Sequence, residues 1–234
     1  MGIKYKVNED FFSVWGSKMA YVLGYLYADG SIYKSERGSY VSVTSIDRDT
    51  ISKIKRWLNS EHTVRVDKSS YSNNKLRYTL RIGNKKIYQD LVSLGLYPNK
   101  SLTVRLPLIP SEWFADFLRG YFDGDGCVSL YRTKGITKKL IIRKLSVIFT
   151  SGSMRFLEDL LMNLAKYLDL RQKKVYTSRR CYQLRFATHD SLTILYFMYK
   201  GSPYQLFLKR KFAIYLKYLK LKNMNLNMAQ WRSS

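Results

Sequence analysis

The hydrophobic and polar positions of this chain follow one pattern twice. Each half begins with an apolar helical segment, continues with a strand of alternating character and an amphipathic helix, and closes with a strand pair and a further helix. The principal segments lie at 19–30, 40–44, 47–59 and 77–82 in the first half and at 112–126, 145–150, 153–168 and 181–186 in the second. The pattern predicts an α+β fold in which the order helix, two strands, helix, two strands, helix occurs twice.

The two halves also share a motif at the end of their first helix. Four pairs of residues, each separated by 96 positions, match between the halves: Gly24 with Gly120, Ala28 with Gly124, Asp29 with Asp125, and Gly30 with Gly126. Four matches at one spacing indicate an internal duplication. Pro107 and Pro110, with Ser111 as the predicted N-cap of the next helix, mark the junction. We therefore predict two domains, 1–106 and 107–234.

Small residues at a spacing of four predict that the repeated helices pack directly on each other. Gly24 and Ala28 share one face of the first helix, and Gly120 and Gly124 share one face of the second. Side chains of this size let two helix backbones approach closely. Apolar residues fill the space around the contact: Val22, Leu23, Leu26, Phe117, Leu118 and Tyr121.

The packing of these helices predicts a metal site at their C-terminal ends. Each helix is expected to end at its motif glycine, which brings Asp29 and Asp125 side by side. Two adjacent carboxylates at the negative ends of helix dipoles are unfavourable without a cation. Oxygen ligands favour a hard ion such as Mg²⁺, and the carbonyl groups of Ala28 and Gly124 are further candidate ligands. Such a site next to a basic surface suits phosphodiester hydrolysis.

The charge of the chain indicates a polyanionic partner. Lys and Arg number 41 against 17 Asp and Glu, which gives a formal net charge of +24. Residues 1–110 hold 18 basic and 9 acidic residues, and the remainder hold 23 and 8. Both halves are thus basic, as expected if both contact one polymer. Nucleic acid is the first candidate and an anionic membrane surface the second.

Other features exclude several classes of protein. No apolar run approaches the roughly 20 residues that span a bilayer, and the first residues resemble neither a signal peptide nor a transit peptide. We expect an intracellular protein without membrane contact, in the cytoplasm or nucleoid or encoded within an organelle. Two cysteines alone cannot form a disulfide framework or a structural zinc site, which needs about four ligands, and the presence of only two histidines argues against a His-based metal centre.

The two motifs resemble those of a known protein family. Residues 22–30, VLGYLYADG, and residues 118–126, LRGYFDGDG, are similar to the motifs of LAGLIDADG homing endonucleases of the single-chain, pseudo-symmetric type. The resemblance covers nearly the whole chain. The first copy has Tyr27 where the family often has an acid, but the final aspartate, which binds metal in the family, is present in both copies.

The resemblance implies two αββαββα halves whose motif helices meet at a central interface. It implies that two antiparallel sheets form a saddle over the DNA major groove, and that a monomer cleaves both strands across the minor groove. Mg²⁺ is the implied cofactor, with Mn²⁺ or Ca²⁺ as substitutes. Family members carry a basic residue near each active site, and Lys100 and Lys209 fall where it is expected. Asp29, Asp125 and these two lysines are the predicted catalytic residues.

Strand alternation predicts which side chains face the DNA. Arg77, Thr79 and Arg81 point to one side of their strand, opposite an apolar side that meets helices. Arginines at such positions can read guanine, whereas lysines at the rim more often meet phosphate. The predicted DNA-binding residues, on strands and hairpin ends, are Tyr33, Lys34, Arg37, Ser42, Thr44, Arg77, Thr79, Arg81, Arg132, Lys134, Lys138, Lys139, Lys144, Ser146, Thr150, Gln183 and Arg185.

Three functions are compatible with these features. The first is a site-specific double-strand DNA endonuclease that spreads its own intron or coding element. The second is an RNA maturase that binds intron RNA and assists splicing, which would tolerate loss of the motif acids. The third is a DNA regulator that uses the scaffold only to bind. Both motif acids, Asp29 and Asp125, are retained, which favours the nuclease. An intein nuclease is disfavoured because no splicing domain flanks the fold.

Overall fold

The computed structural model describes residues 5–68, 75–134, 140–172, 174–202 and 206–224, with the backbone alone at 133–134 and 140–143. Within these ranges the helices are α1 (Ser17–Asp29), α2 (Arg48–Trp57), α3 (Lys85–Ser93), α4 (Phe114–Asp125), α5 (Met154–Tyr167), α6 (Thr188–Tyr199) and α7 (Lys209–Leu221). The strands are β1 (Gly30–Ser35), β2 (Gly38–Ser45), β3 (Val64–Lys68), β4 (Leu76–Gly83), β5 (Gly126–Lys134), β6 (Leu140–Ser151), β7 (Tyr176–Ser178) and β8 (Cys181–Phe186). Single 3-10 turns occur at Lys100–Leu102 and Ser111–Trp113.

The first repeat builds one antiparallel sheet in the strand order β1-β2-β4-β3. Val41 pairs with Ile82, and Val43 pairs with Leu80. All four side chains are buried, because α2 and α3 cover this face of the sheet. The opposite face carries the polar side chains of the alternation.

The second repeat has the same topology, in the strand order β5-β6-β8-β7. Its buried face is larger and more aromatic, with Val147 paired to Phe186 and Phe149 paired to Leu184. Helices α5 and α6 cover this face. The fold therefore confirms the predicted α+β class with two repeats of a four-stranded antiparallel sheet.

The chain divides into two compact units that differ from the predicted domains. One unit consists of 1–100 and 107–124, and the other consists of 101–106 and 125–234. Helix α4 thus belongs with the first repeat up to Gly124, because it packs along α1. The segment 101–106 belongs with the second repeat, where the Arg105 guanidinium donates hydrogen bonds of 2.6 and 2.7 Å to Asp159.

The ends of the repeats add two details to the pattern-based prediction. Helix α1 ends at Gly30 as predicted, and with a φ of −95° this glycine begins β1 directly instead of forming a left-handed cap. Glycine is required there for space, since a Cβ would lie 2.5 Å from the carbonyl oxygen of Leu26. The second repeat also has an additional helix, α7, where the first repeat has only the 3-10 turn Lys100–Leu102. Among the described residues, no helix is long and apolar enough to cross a membrane.

Candidate functional site

Helices α1 and α4 touch backbone to backbone through their motif glycines. A Cβ on Gly24 would lie 2.0 Å from the carbonyl oxygen of Phe117, and a Cβ on Gly120 would lie 2.0 Å from that of Tyr21. Real Cβ atoms do not approach carbonyl oxygens this closely. The packing therefore depends on glycine at both positions, as the repeated motif predicted.

The same contact continues to the C-terminal ends of the two helices. A Cβ on Gly124 would lie 2.3 Å from the Cβ of Ala28 and 3.3 Å from Oδ2 of Asp29. The absence of a side chain at Gly124 thus leaves room for the Asp29 carboxylate beside the last turn of α4. Asp125 follows Gly124 directly in the chain, and both aspartates are exposed.

A buried polar network lies between α1 and α4, among residues that precede these acids in the chain. The Tyr21 hydroxyl donates a hydrogen bond of 2.8 Å to Oδ2 of Asp123, and Asp123 is only 1% exposed. Burial, together with the neighbouring Asp123 carboxyl, raises the pKa of Tyr21 well above its ordinary value. Arg119, equally buried, pairs with Asp116 one turn earlier in α4. Charged groups are retained in such an interior only when they are paired in this way.

Tyr27 replaces the acid that the family often has at this position of the first motif. Its hydroxyl donates a hydrogen bond of 2.6 Å to the carbonyl oxygen of Leu94, and its ring meets Phe117 edge-on at 5.3 Å. Burial raises the pKa of Tyr27, which therefore acts as a neutral donor that ties α1 to the segment after α3. The tyrosine at this position therefore makes its contacts within the first unit, and Asp29 remains exposed.

A buried lysine lies against each motif. The Lys100 ammonium donates a hydrogen bond of 3.0 Å to the carbonyl oxygen of Tyr27, two residues before Asp29. In the second repeat, Lys211 donates a hydrogen bond of 2.6 Å to the carbonyl oxygen of Gly126, the residue after Asp125. Lys100 is 7% exposed and Lys211 is 4% exposed.

The sequence had suggested Lys209 for the second of these positions. Lys209 is exposed at the first residue of α7, whereas Lys211, two residues later, faces the interior. The run Lys209-Arg210-Lys211 offers three basic residues, and only the packing of α7 on β5 selects among them. Lys211 is therefore the structural counterpart of Lys100.

Among the described residues, the motif acids are not part of a larger cluster of metal-binding side chains. Across the described parts of the chain, no group of three or more His, Cys, Asp or Glu residues is arranged to hold a metal ion. Within the described residues, neither Asp29 nor Asp125 thus lies in a ready-made cage of metal-binding side chains. The carbonyl groups of Ala28 and Gly124, which the sequence predicts as further ligands, belong to half-buried residues.

The open face of the first sheet presents arginine, threonine and tyrosine side chains. Arg81 is opposite Ser42, and the hydroxyls of Thr44 and Thr79 are 3.1 Å apart. The Arg81 guanidinium lies over the ring of Tyr40, 4.7 Å from its centroid. The alternation of these strands is as predicted from the sequence.

The open face of the second sheet has a related arrangement. Thr150 is opposite Gln183, and Arg185 donates a hydrogen bond of 2.8 Å from Nε to the side-chain oxygen of Gln183. The Arg185 guanidinium is 5.8 Å from the centroid of Tyr176. Tyr40 and Tyr176 also lie on these open faces, although neither was among the predicted residues. Alternation with Ser42 on the same strand could have indicated Tyr40. Tyr176 lies opposite Gln183 on the neighbouring strand, so its place follows from the predicted direction of Gln183 once that pairing is known.

Most of the other predicted nucleic-acid residues lie on the same two sheets. Tyr33 faces the open side of β1, whereas Lys34 alternates to the other side. Ser146 already donates a hydrogen bond of 3.1 Å to the carbonyl oxygen of Phe186. Lys138 and Lys139 lie outside the described residues, as does the side chain of Lys134. Exposed positions on strands or in the β1–β2 turn are occupied by Arg37, Arg77, Arg132 and Lys144.

These features define a class of duplicated α+β proteins with paired motif helices that end in acids. Comparison with known families gives the same result. The LAGLIDADG-like domain family matches residues 17–94 and again 112–196. This chain belongs to the LAGLIDADG family, and each repeat of the structure corresponds to one match.

Solved structures with the same fold are homing endonucleases. The homing endonuclease I-WcaI, bound to its DNA recognition sequence, superimposes with a TM-score of 0.58 over 87% of this chain and 89% of its own, at 14% identity. I-LtrWI, bound to target DNA, gives 0.58 over 92% of both chains at 13% identity. I-AabMI, bound to uncleaved DNA, gives 0.57 over 89% of this chain and 92% of its own at 13% identity. At these identities the comparison establishes the fold.

A curated relative is also known from Methanocaldococcus jannaschii. The uncharacterized protein MJ0314 is 25% identical over 125 residues, which are 53% of this chain and 46% of that protein. The match spans less than half the length of the relative. Because this relative is itself uncharacterized, the match adds no activity.

Proposed function

We propose that this protein is a site-specific double-stranded DNA endonuclease that hydrolyses both strands with divalent metal held by Asp29 and Asp125. The observation that carries the proposal is the retention of an exposed acid at the end of each motif, in a chain whose net charge is +24. A scaffold that only binds a polyanion gains nothing from carboxylates at these points, because they repel phosphate.

The donor atoms available at the motif ends suit a hard divalent ion. They are carboxylate oxygens of Asp29 and Asp125 and backbone carbonyl oxygens of Ala28 and Gly124, and oxygen ligands favour Mg²⁺, with Mn²⁺ or Ca²⁺ as substitutes. The space left by Gly124 beside the Asp29 carboxylate supports this assignment. When bound, the ion would supply a hydroxide nucleophile and neutralise the leaving oxygen. The aspartates would hold it at the scissile phosphate.

Lys100 and Lys211 are proposed as the basic residues of the two centres, with Lys211 in place of Lys209. Each ammonium is fixed against a motif carbonyl group, at 3.0 Å and 2.6 Å, and each is buried. A fixed positive charge next to the motif would polarise the scissile phosphate or orient the attacking water. Neither lysine is proposed as a nucleophile.

The open faces of the two sheets are proposed as the DNA-binding surfaces. Their exposed arginines, threonines and glutamine offer donors and acceptors for base edges, and basic side chains at the hairpin ends, such as Arg37, offer phosphate contacts. The DNA-bound state of the solved relatives supports this assignment. Since both repeats belong to one chain, we propose that a monomer suffices for the two half-sites.

The test is cleavage of a target recovered by binding selection from a randomised double-stranded DNA library in Ca²⁺. With Mg²⁺, the protein should convert a plasmid carrying the selected site to the linear form, and Ca²⁺ should support binding more than cutting. Binding should weaken steeply with salt, as expected when several phosphates are neutralised. Selective binding without cutting in Mg²⁺ or Mn²⁺ would favour the regulator, and tight binding of intron RNA without DNA cleavage would favour the maturase.

A further inference from the structure

Arg81 and Arg185 occupy the same position in the two sheets. Arg81 is paired across β2 with Ser42, which is paired with Ser31, two residues after Asp29. Arg185 is paired across β6 with Ile148, which is paired with Cys127, two residues after Asp125. In each sheet, a row of paired residues thus runs across three strands from the residue two positions after the motif acid. Both arginines are the third member of this row, on the open face of the sheet.

The Arg81 guanidinium is restrained by two aromatic rings. Its guanidinium lies 4.7 Å from the ring centroid of Tyr40 and 5.8 Å from that of Tyr33, and the two rings stack at 5.1 Å. Such cation–π contacts restrict the guanidinium without using its N–H donors. The donors remain available to a ligand over the open face.

The Arg185 side chain is restrained in a different way but leaves the same donors. Its Nε donates to Gln183, so the two terminal nitrogens are left for a ligand. The ring of Tyr176 lies 5.8 Å from the guanidinium. Within the described residues, neither Arg81 nor Arg185 forms an ion pair with an acid.

Arg65 differs from these two arginines because its guanidinium is paired with an acid of the protein. It lies on β3 opposite Thr79, on the same open face as Arg81. Its Nε forms an ion pair of 2.9 Å with Asp67. Unlike Gln183, the partner of Arg185, Asp67 is an anion, which neutralises the guanidinium and repels the acceptor atoms O6 and N7 of an approaching guanine.

We propose that Arg81 and Arg185 each read a guanine, at corresponding positions of the two half-sites of the DNA target. Arginine presents two parallel N–H donors that match O6 and N7 of guanine in the major groove. This inference rests on the proposed DNA-binding surfaces and adds the base that each of these two residues selects.

The side chains next to these arginines, in the row farther from the motif acids, differ between the two sheets. The next row outward has Tyr33 and Tyr40 in the first sheet and Ser129 and Ser146 in the second. Aromatic rings and short hydroxyls contact different base edges. The two half-sites therefore share the guanine and diverge at the position next to it, farther from the motif acids.

The experiment determines base preference at every position of the selected target, by binding in Ca²⁺, for the wild type and for Arg81→Lys, Arg185→Lys and Arg65→Lys. Lysine keeps the charge but lacks the bidentate fork. Each of the first two variants should lose about 10- to 100-fold discrimination for guanine in one half-site only, at corresponding positions. Arg65→Lys should leave all base preferences unchanged.

The outcomes separate this inference from the proposed function. Guanine at both corresponding positions, each lost in its own variant, supports the inference even if the protein never cuts DNA, whereas absence of cutting overturns the nuclease proposal alone. A target without guanine at these positions, or an Arg81→Lys variant that weakens binding equally for all sequences, overturns the inference. A protein that binds no specific DNA overturns both.

Discussion

Lys211 is fixed to the carbonyl oxygen of Gly126 by a hydrogen bond of 2.6 Å. Gly126 follows the motif acid Asp125, so the ammonium is held within one residue of the proposed metal ligand. In the first repeat, Lys100 makes the related contact with Tyr27. The two lysines thus reach their motifs from different elements, a 3-10 turn and helix α7, and contact different positions of the motif.

Replacement of Lys211 should reduce cleavage far more than replacement of Lys209. Lys211→Met keeps the length and burial of the side chain but removes the fixed charge, and we expect cleavage to slow about 100-fold. Lys209→Met, at an exposed position two residues earlier, is the matched control and should change the rate less than about threefold. Single-turnover cleavage of the selected target measures both. Equal effects of the two variants would contradict the assignment.

The sequence could not distinguish Lys209 from Lys211 because its basic run does not fix the rotation of the helix. Successive helical residues differ by about 100° in direction, so the buried member depends on how α7 packs on β5. The motif acids were predictable because they recur at one spacing, and the glycine contact was predictable because small residues recur at a spacing of four.

Substitution of Gly24 should destabilise the protein. In Gly24→Ala the new Cβ would be 2.0 Å from the Phe117 carbonyl oxygen, so the helices must separate, and we expect a loss of about 3 kcal/mol or more. Gly16→Ala is the control, because nothing lies within 4 Å of a Cβ there, and it should cost less than about 1 kcal/mol. Urea unfolding measures the difference. Similar stabilities of the two variants would rule out the close backbone contact.

The hydrogen bond between Tyr21 and Asp123 should stabilise the protein more than a comparable bond between neutral groups. Tyr21→Phe leaves a buried carboxyl group without this donor, at a cost of about 1–3 kcal/mol. Tyr25→Phe removes a hydroxyl that donates to Ser45 at 3.0 Å and should cost about 1 kcal/mol. Thermal and urea unfolding of both variants compare them. A smaller loss for Tyr21→Phe would be inconsistent with the buried network.

Acidification should destabilise the first repeat through His62. Its Nε2 accepts a hydrogen bond of 3.3 Å from the Gly83 N–H, which requires a neutral ring. Burial, together with Lys55, lowers the pKa of His62 below its ordinary value of 6.5. The unfolded chain therefore binds a proton more readily than the folded chain, and stability should fall as the pH drops below about 6.5.

The measurement for this prediction is the urea midpoint between pH 7.5 and 5. The wild-type midpoint should decrease over this range more steeply than that of His62→Gln, which cannot be protonated there. The two slopes would be equal if His62 were charged in the folded protein.

Some features of the site could not be predicted from the sequence, for physical reasons. Alternation placed Arg81 on the open face, but the stacking of Tyr33 on Tyr40 beneath it depends on strand register. Likewise, the motif predicted that α1 ends at Gly30, but the reason that glycine is required there, steric exclusion by Leu26, depends on the packing. Both features depend on how strands and helices pack, and no local sequence pattern specifies that packing.

The central claim is that Asp29 and Asp125 hold the metal that cleaves DNA. Its most direct test compares the wild type with the double variant Asp29→Asn, Asp125→Asn on the selected target, with cleavage measured in Mg²⁺ and affinity in Ca²⁺. Loss of both carboxylates should slow cleavage by at least about 1,000-fold and leave DNA affinity within a few-fold. Cleavage by the double variant at the wild-type rate would contradict the assignment.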